Sequence, residues 1–342
     1  MIISTGRGFS LYKINDDPLF VAPHSGPALE IPTSRDEHTD VVASLCWMKT
    51  EGALLVSHMP RKMNLGIDFN RDPPPKKLSL EMWHEFLSNY NNAKLEDYRK
   101  RYAWVAYDEK DYENRLKIFN DFWNIIKTTG TTTVFVHRKF TRIKNFPSIL
   151  DIITYKGRGV DKAVVKTIVE KMNAKYAPFF KSIEPQYKQA IILETQRAVN
   201  RIKAVFSDFD TKTMKVEYRT NIKADMKIIN KHADRRFVKR LENNFNEKNF
   251  MLALRSALKK ENPPRITLES IFAGERAMSV MNSLLNRKER IIMELECNQF
   301  LSYWYPDVAA EIITNLLLEL KTVGLYKKLG VKQTHMAEFM KI

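Results

Sequence analysis

The sequence predicts an α/β fold, a mixed sheet flanked by helices, on three observations. Three short apolar runs, at 19–22 (LFVA), 53–57 (ALLVS) and 133–136 (TVFV), have the length and composition of buried strands. Between the first two, 39–48 (TDVVASLCWM) places Val42, Leu45 and Trp47 or Met48 on one side of a helix. Strand, helix and strand follow one another within a single βαβ unit. With 342 residues, 44% of them hydrophobic, the chain can bury one main core and carry a large excursion from it.

Taken in order, Leu19–Ala22 runs into Pro23, so the first strand empties into a loop. The prolines of 71–77 (RDPPPKK) exclude a helix there, and one is expected over 79–90. Over 109–128, Tyr112, Leu116, Phe119 and Trp123 recur at three- and four-residue spacing until Gly130 stops the helix. ILDIITYKGRG at 149–159 predicts a strand and turn, and 161–175 a helix. From about residue 178 the chain becomes rich in Lys, Arg, Asn and Phe, with Ile229, Phe237, Leu241 and Phe245 as a helical stripe that Pro263 and Pro264 close. RITLESIFAGE at 265–275 predicts a strand and turn, RIIMELEC at 290–297 an alternating strand, and 306–323 a helix apolar on one face. The expected organisation is an N-terminal part of the α/β domain at 1–176, a basic, mainly helical insertion at 177–262, and a C-terminal part at 263–342.

The 56 Lys and Arg outnumber the 40 Asp and Glu to give +16, which favours anionic partners. Arg197 to Glu261 holds 17 basic and 8 acidic residues, so +9 of that charge belongs to the insertion. With Phe and Tyr interleaved, this stretch is compatible with nucleic-acid binding, although a helical lid or a dimer arm with a solvated basic face ranks ahead of it. Cys46 and Cys297 are too few for a disulfide framework or a cysteine zinc ribbon. The first ten residues lack a secretory pattern and no run of about 18 apolar residues occurs, so a soluble cytoplasmic protein, with no membrane partner, is expected.

Polar residues at the carboxyl ends of the predicted strands are the candidates for chemistry, because α/β sheets gather ligands there. His24 follows 19–22 and His137 follows 133–136. Two imidazoles converging from two strand ends need one carboxylate to complete a three-ligand zinc site, and Asp36, Glu37 and Asp40 are the nearby acids. Each histidine alone also reads as a structural imidazole. His38, His58 and His84 read as surface or loop residues, and His232 and His335 as solvated. In 60–71 (PRKMNLGIDFNR), Arg61 and Arg71 bracket a predicted strand that ends in Asp68, Phe69, Asn70 and Arg71. A guanidinium fork beside an amide suits a substrate carboxylate, while the plainer reading is two surface arginines and a turn-forming Asn. Glu294 and Glu296 fall on one face of an apolar strand, where a carboxylate beside a metal-activated water could act as general base, or simply stand in water at a sheet edge.

His24-Ser25-Gly26 after a strand, the acids Asp36 and Asp40, Pro60-Arg61 followed by Asp68-Phe69-Asn70-Arg71, His137, Phe272-Ala273-Gly274 and Glu294 together resemble the N-formylglutamate amidohydrolase family. That family is similar to the zinc carboxypeptidases, succinylglutamate desuccinylase and aspartoacylase, and the resemblance spans roughly 18–172 and 265–305. It implies a zinc-carboxypeptidase-like fold and a zinc-dependent amidohydrolase acting on a small acidic N-acyl amino acid, or a peptide, with homo-oligomers as a further expectation. His24 and His137 look like zinc ligands, Glu294 like the general acid/base, and Arg61, Asn70 and Arg71 like the carboxylate-binding and carbonyl-polarising groups. The carboxypeptidase-type relatives place their acidic ligand three residues after the first histidine, where this chain has Pro27, so Asp36 is taken as the third ligand with Glu37 and Asp40 behind it. Family members also carry an acid two residues before the later histidine and a Ser after it, where this chain has Phe135 and Arg138. Arg138 fits such a place only by facing a substrate anion. The competing reading is an inactive relative that serves as a nucleic-acid-binding or scaffold protein through the insertion.

Overall fold

The computed structural model describes residues 1–27, 35–88, 93–205, 223–243, 246–275, 277–285 and 289–323. Its centre is an α/β sheet of eight strands: β1 (Ile2–Gly6), β2 (Phe9–Lys13), β3 (Leu19–Ala22), β4 (Ala53–Ser57), β5 (Thr132–Lys139), β6 (Ser148–Ile153), β7 (Arg265–Leu268) and β8 (Ile291–Asn298). They lie in the order β1-β2-β4-β3-β5-β8-β6-β7. The sheet is mixed, with β3 parallel to β4 and β5, while β2 runs antiparallel to β4 and β6 to β8. The expected strand, helix and strand unit is present, with α1 (Thr39–Thr50) joining β3 to β4. No described helix is long and apolar enough to cross a membrane.

The chain divides into two compact units. The first comprises 1–138, 150–172 and 267–342 and holds α2 (Lys76–Ser88), α3 (Ala93–Arg101) and α4 (Glu109–Thr128). α4 runs over the expected residues: Asp108 caps it by accepting from the Asp111 N–H, and Tyr112, Phe119, Phe122, Trp123 and Ile126 are its buried stripe. These side chains form an aromatic core with Phe9, Phe69, Trp104 and Phe135, in which Phe69 stacks on Phe122 with ring centroids 3.9 Å apart. Each such ring contributes about 1.5–3 kcal/mol by leaving water.

The second unit comprises 139–149 and 173–266, so it begins and ends a few residues outside the expected 177–262 and also takes in a segment that sequence alone placed in the N-terminal part. The reason is local: the 3₁₀ turn Ile143–Asn145 packs on α6 (Lys223–His232). α5 (Lys162–Val205) runs 44 residues, far past the expected end at 175, because Pro178 and Pro185 each remove one helical donor without ending the helix. α7 (Arg235–Asn243) and α8 (Glu247–Lys260) follow. Of the expected stripe, Ile229 and Leu241 are buried and Phe237 is half-buried, while Phe245 lies outside the described residues, as do residues 206–222. The first unit closes with α9 (Met278–Leu285), α10 (Gln299–Trp304) and α11 (Pro306–Thr322).

Residues 61–71 correct the sequence reading, since they form a sequence of turns and no strand. Their backbone groups find partners elsewhere. The Ile67 N–H donates to Pro60 O and the Asp68 N–H to Ala103 O. The carbonyls of Met63, Asn64 and Gly66 all accept from the guanidinium of Arg115 on α4, whose Nε is held by Asp111 at 2.9 Å. Replacing Arg115 by Met keeps the apolar stem and strands three carbonyls. Arg115→Met is expected to cost about 2–4 kcal/mol, read as a lowered urea midpoint at unchanged m-value.

Candidate metal centre

Three stretches of the first unit build the site. β3 ends at Ala22 and turns at once, with the Ser25 hydroxyl directed at the carbonyls of Ala22 and Ser57. Gly26 passes so close to the exit of β4 that a Cβ on it would lie 2.0 Å from Met59 O, so only glycine fits and the turn carrying His24 is pinned to β4. The Asp36 N–H donates to His24 O at 2.9 Å, returning the loop to the point it left, and the Thr39 hydroxyl holds Asp36 O at 2.6 Å. β5 pairs with β3 with Phe135 opposite Val21, which brings His137 beside His24 at a ring-centroid distance of 4.8 Å.

Asp36 Oδ2 lies 3.2 Å from His24 Nδ1 and 3.0 Å from His137 Nδ1. The ligand atoms of these three buried residues lie within 4.8 Å of one another, and the group could hold a metal ion. The outer ring nitrogens also have partners, His24 Nε2 at 2.9 Å from Asp68 Oδ1 and His137 Nε2 at 2.9 Å from Asn70 Nδ2. Two imidazoles and a carboxylate, each imidazole braced from behind, are a donor set suited to zinc and its first-row neighbours. Among the three acids the sequence left open, Glu37 pairs with Arg138 at 2.9 Å and Asp40 faces Arg35 at 3.7 Å, so Asp36 alone of the three joins both histidines.

Electrostatics hold this cluster together. Burial pushes Asp36 toward protonation, but hydrogen bonds from His137 and His24 and the charges of His24 and Arg61 outweigh it, leaving its carboxyl well below the usual range. Asp68 likewise stays ionised against burial, through Arg61, His24 and Arg71. Arg61 places Nε 3.0 Å from Asp68 Oδ2 and Nη1 3.9 Å from Asp36 Oδ1. Burial disfavours its charge, and the two aspartates more than restore it. For His137, burial lowers the pKa while the charge of Glu294, the Asp36 hydrogen bond and the charges of Asp36 and Glu296 raise it to about 9.

Glu294 is buried on β8, an interior strand between β5 and β6, which rules out the edge-strand reading. Its Oε2 accepts from the Tyr155 hydroxyl at 2.9 Å, a contact for which the sequence held no signal. Tyr155 is buried in the left-handed region at φ 56°, followed by Lys156 at 61°, a conformation costly for both. Glu269, itself at φ 47°, fixes this turn by accepting from the N–H groups of Thr154 and Lys156 and from the Thr154 hydroxyl. Gly274, at φ 69°, lets the ring in, since a Cβ there would lie 2.4 Å from Tyr155 Cδ1.

Two expectations about binding residues shift, those for Asn70 and Arg138. Asn70 is buried against His137, so the amide offered to a substrate carboxylate is taken up by the His137 imidazole. Arg138 donates to Glu37 and to Arg35 O, so a protein carboxylate answers its charge where the sequence required a substrate anion. Arg71 is buried and donates to Asn70 O at 3.0 Å. Phe135 belongs to the aromatic core against Trp123. His38 stacks on Tyr303 at 3.9 Å, and His232, expected in solvent, bonds Glu261 at 2.6 Å.

No protein-family model and no curated protein matches the chain. Among solved structures it is similar to the gene product Atu2144 of Agrobacterium tumefaciens, at 10% identity and a TM-score of 0.43, over 94% of this chain and 97% of that one.

In metal-free protein the raised His137 pKa ties stability to pH. An imidazole whose folded pKa lies above its unfolded value of about 6.5 contributes fully below that value and loses its contribution as pH rises through the folded one. Chelator-treated protein should therefore lose on the order of 3 kcal/mol between about pH 6.5 and 9, and His137→Asn should flatten that limb in urea titrations. Asp36 and Asp68, both lowered, act oppositely, and their contribution disappears as pH falls below about 4.

Proposed function

We propose that this chain is a metal-dependent amidohydrolase of the N-formylglutamate amidohydrolase type, with a zinc-carboxypeptidase-like fold, cleaving an amide on a carboxylate-bearing substrate. The observation that carries this reading is the buried convergence of His24, Asp36 and His137, with Arg61 and Glu294 as the charged groups set around it. His24, Asp36 and His137 would hold zinc. When bound, the ion supplies Lewis acidity and lowers the pKa of a coordinated water.

The other roles belong to side chains already in place. Tyr155 occupies Glu294 Oε2, so Oε1 is the oxygen that takes a proton and later returns it to the departing nitrogen. Arg61, kept charged by Asp68 and partly open to solvent, stabilises the negative charge that develops on the carbonyl oxygen. Arg71 meets the substrate carboxylate and so sets the position of the scissile bond.

Elemental analysis of purified protein should find about one metal ion per chain, lost in both His24→Ala and His137→Ala. That protein should hydrolyse an N-acyl amino acid and leave its carboxamide analogue untouched. A wild type that takes up no metal after incubation with zinc sinks the reading. Glu294→Gln is expected to keep its metal and lose about 10²–10⁴ in kcat. Tyr155→Phe should lower kcat by about tenfold at unchanged KM and metal content, because it frees the orientation of Glu294 alone.

A further inference from the structure

Asn70 has contacts that do not balance. Its Nδ2 lies 2.9 Å from His137 Nε2, while its Oδ1 is buried without a hydrogen-bond partner. The other nitrogen of that ring, Nδ1, faces Asp36 on the side where the three donor atoms converge. An imidazole that gives its Nδ1 lone pair to a cation keeps its single proton on Nε2. Nε2 is then a donor, and Asn70 Nδ2, also a donor, cannot receive its proton.

A half-turn of the amide about χ2 exchanges Oδ1 and Nδ2 without changing the shape of the side chain. With a cation on Nδ1, the unturned amide leaves the ring N–H, the amide NH2 and Oδ1 all unsatisfied. The turned amide makes a good bond and leaves only Nδ2 to be satisfied. Each buried group without a partner costs about 1–3 kcal/mol, so the turned form wins.

His24 has the matching arrangement: its Nε2 meets the carboxylate of Asp68, which also accepts from the Asn70 backbone N–H at 3.1 Å. Both outer partners therefore lie on one turn. That turn is anchored by the Asp68 N–H on Ala103 O, by the Arg71 N–H on Asp68 O, and by Phe69 stacked in the aromatic core.

We propose that Asn70 is a positioning residue of the metal centre: Oδ1 accepts the Nε2 proton of His137, and the 68–70 turn thereby makes both imidazoles present Nδ1 to the ion. This rests on reading His24, Asp36 and His137 as metal ligands, and it moves Asn70 from holding substrate to holding a ligand.

The test compares zinc affinity, by competition with a chromophoric chelator, in wild type, Asn70→Ala and Asn70→Asp, each checked for a wild-type unfolding transition. Asp keeps an acceptor and loses the donor; Ala loses both. The expected result is a 10–100-fold weaker affinity for Asn70→Ala and an affinity at or above wild type for Asn70→Asp. Equal losses in the two variants, or an undiminished affinity in Asn70→Ala with only KM raised, overturn the proposal while leaving the metal reading intact. A second readout uses ¹⁵N spectra of the zinc-loaded protein: the Nε2-bound proton of His137 should exchange slowly in wild type and fast in Asn70→Ala. A wild type that binds no zinc overturns the reading of the cluster as a metal centre and this proposal with it. Should Asn70→Ala not fold, the Asp variant and the wild-type exchange rate still decide, since fast exchange in wild type overturns the bond.

Discussion

The site depends on one buried carboxylate shared by two imidazoles. Asp36 presents Oδ2 to Nδ1 of both His24 and His137, and a carboxylate so deep in protein is tolerated only when its charge is answered. Arg61 supplies further positive charge, and Asp68 in turn balances Arg61 and His24. Removing any member leaves a neighbour with an unpaired buried charge. The polar cluster is therefore stable as a set, or with a cation in its middle, and unstable in part.

Much of what holds that set lies away from it. Phe69 sends its ring into the aromatic core and Trp123 Nε1 donates to its carbonyl at 3.1 Å, so Asp68 and Asn70, its neighbours in sequence, are held where the histidines need them. Arg115 ties down the carbonyls just before this turn, and Gly26 admits the His24 turn against the backbone of 58–59. A hydrophobic core, packed for its own stability, thus fixes where these polar atoms sit. This is the form of preorganisation that a catalytic centre requires.

What the sequence disclosed followed from periodicity and from strand ends. β3, β4 and β5 were legible as uninterrupted apolar runs because they are buried, and His24 and His137 because they stand where such runs stop. β1 was not legible, since all five of its residues are exposed and carry no apolar alternation. The 61–71 segment looked like a strand because Ile67 and Phe69 alternate with polar residues, yet that alternation arises from a turn with one side in the core. Arg115 sits on a helical face among aromatics, and its acceptors are carbonyls some 50 residues away in sequence, which no local pattern encodes. Asp36 could be named among three acids, but what separates it from Glu37 and Asp40 is tertiary: its N–H on the His24 carbonyl and its Oδ2 between the two imidazoles, while the other two face Arg138 and Arg35.

Tyr155 marks the limit of sequence reading from the other direction. Filling the core beside β8 would need only an ordinary apolar residue in extended backbone, and the chain instead holds a tyrosine, then a lysine, in the left-handed region. Such a turn costs about 1–3 kcal/mol per residue and persists only where its surroundings over-determine it. Here they do: Glu269 takes three hydrogen bonds from Thr154 and Lys156 and an ion pair from Lys162, and Gly274 clears the space for the ring. What the unusual backbone secures is direction, a phenol whose pKa burial and Glu294 drive upward, so that it stays a donor to one oxygen of that carboxylate. Backbone strain near the site thus gathers at the turn that orients Glu294, where Tyr155, Lys156 and Glu269 are all left-handed, while beside Asp36 the left-handed residue is His38, which caps α1 at φ 65°.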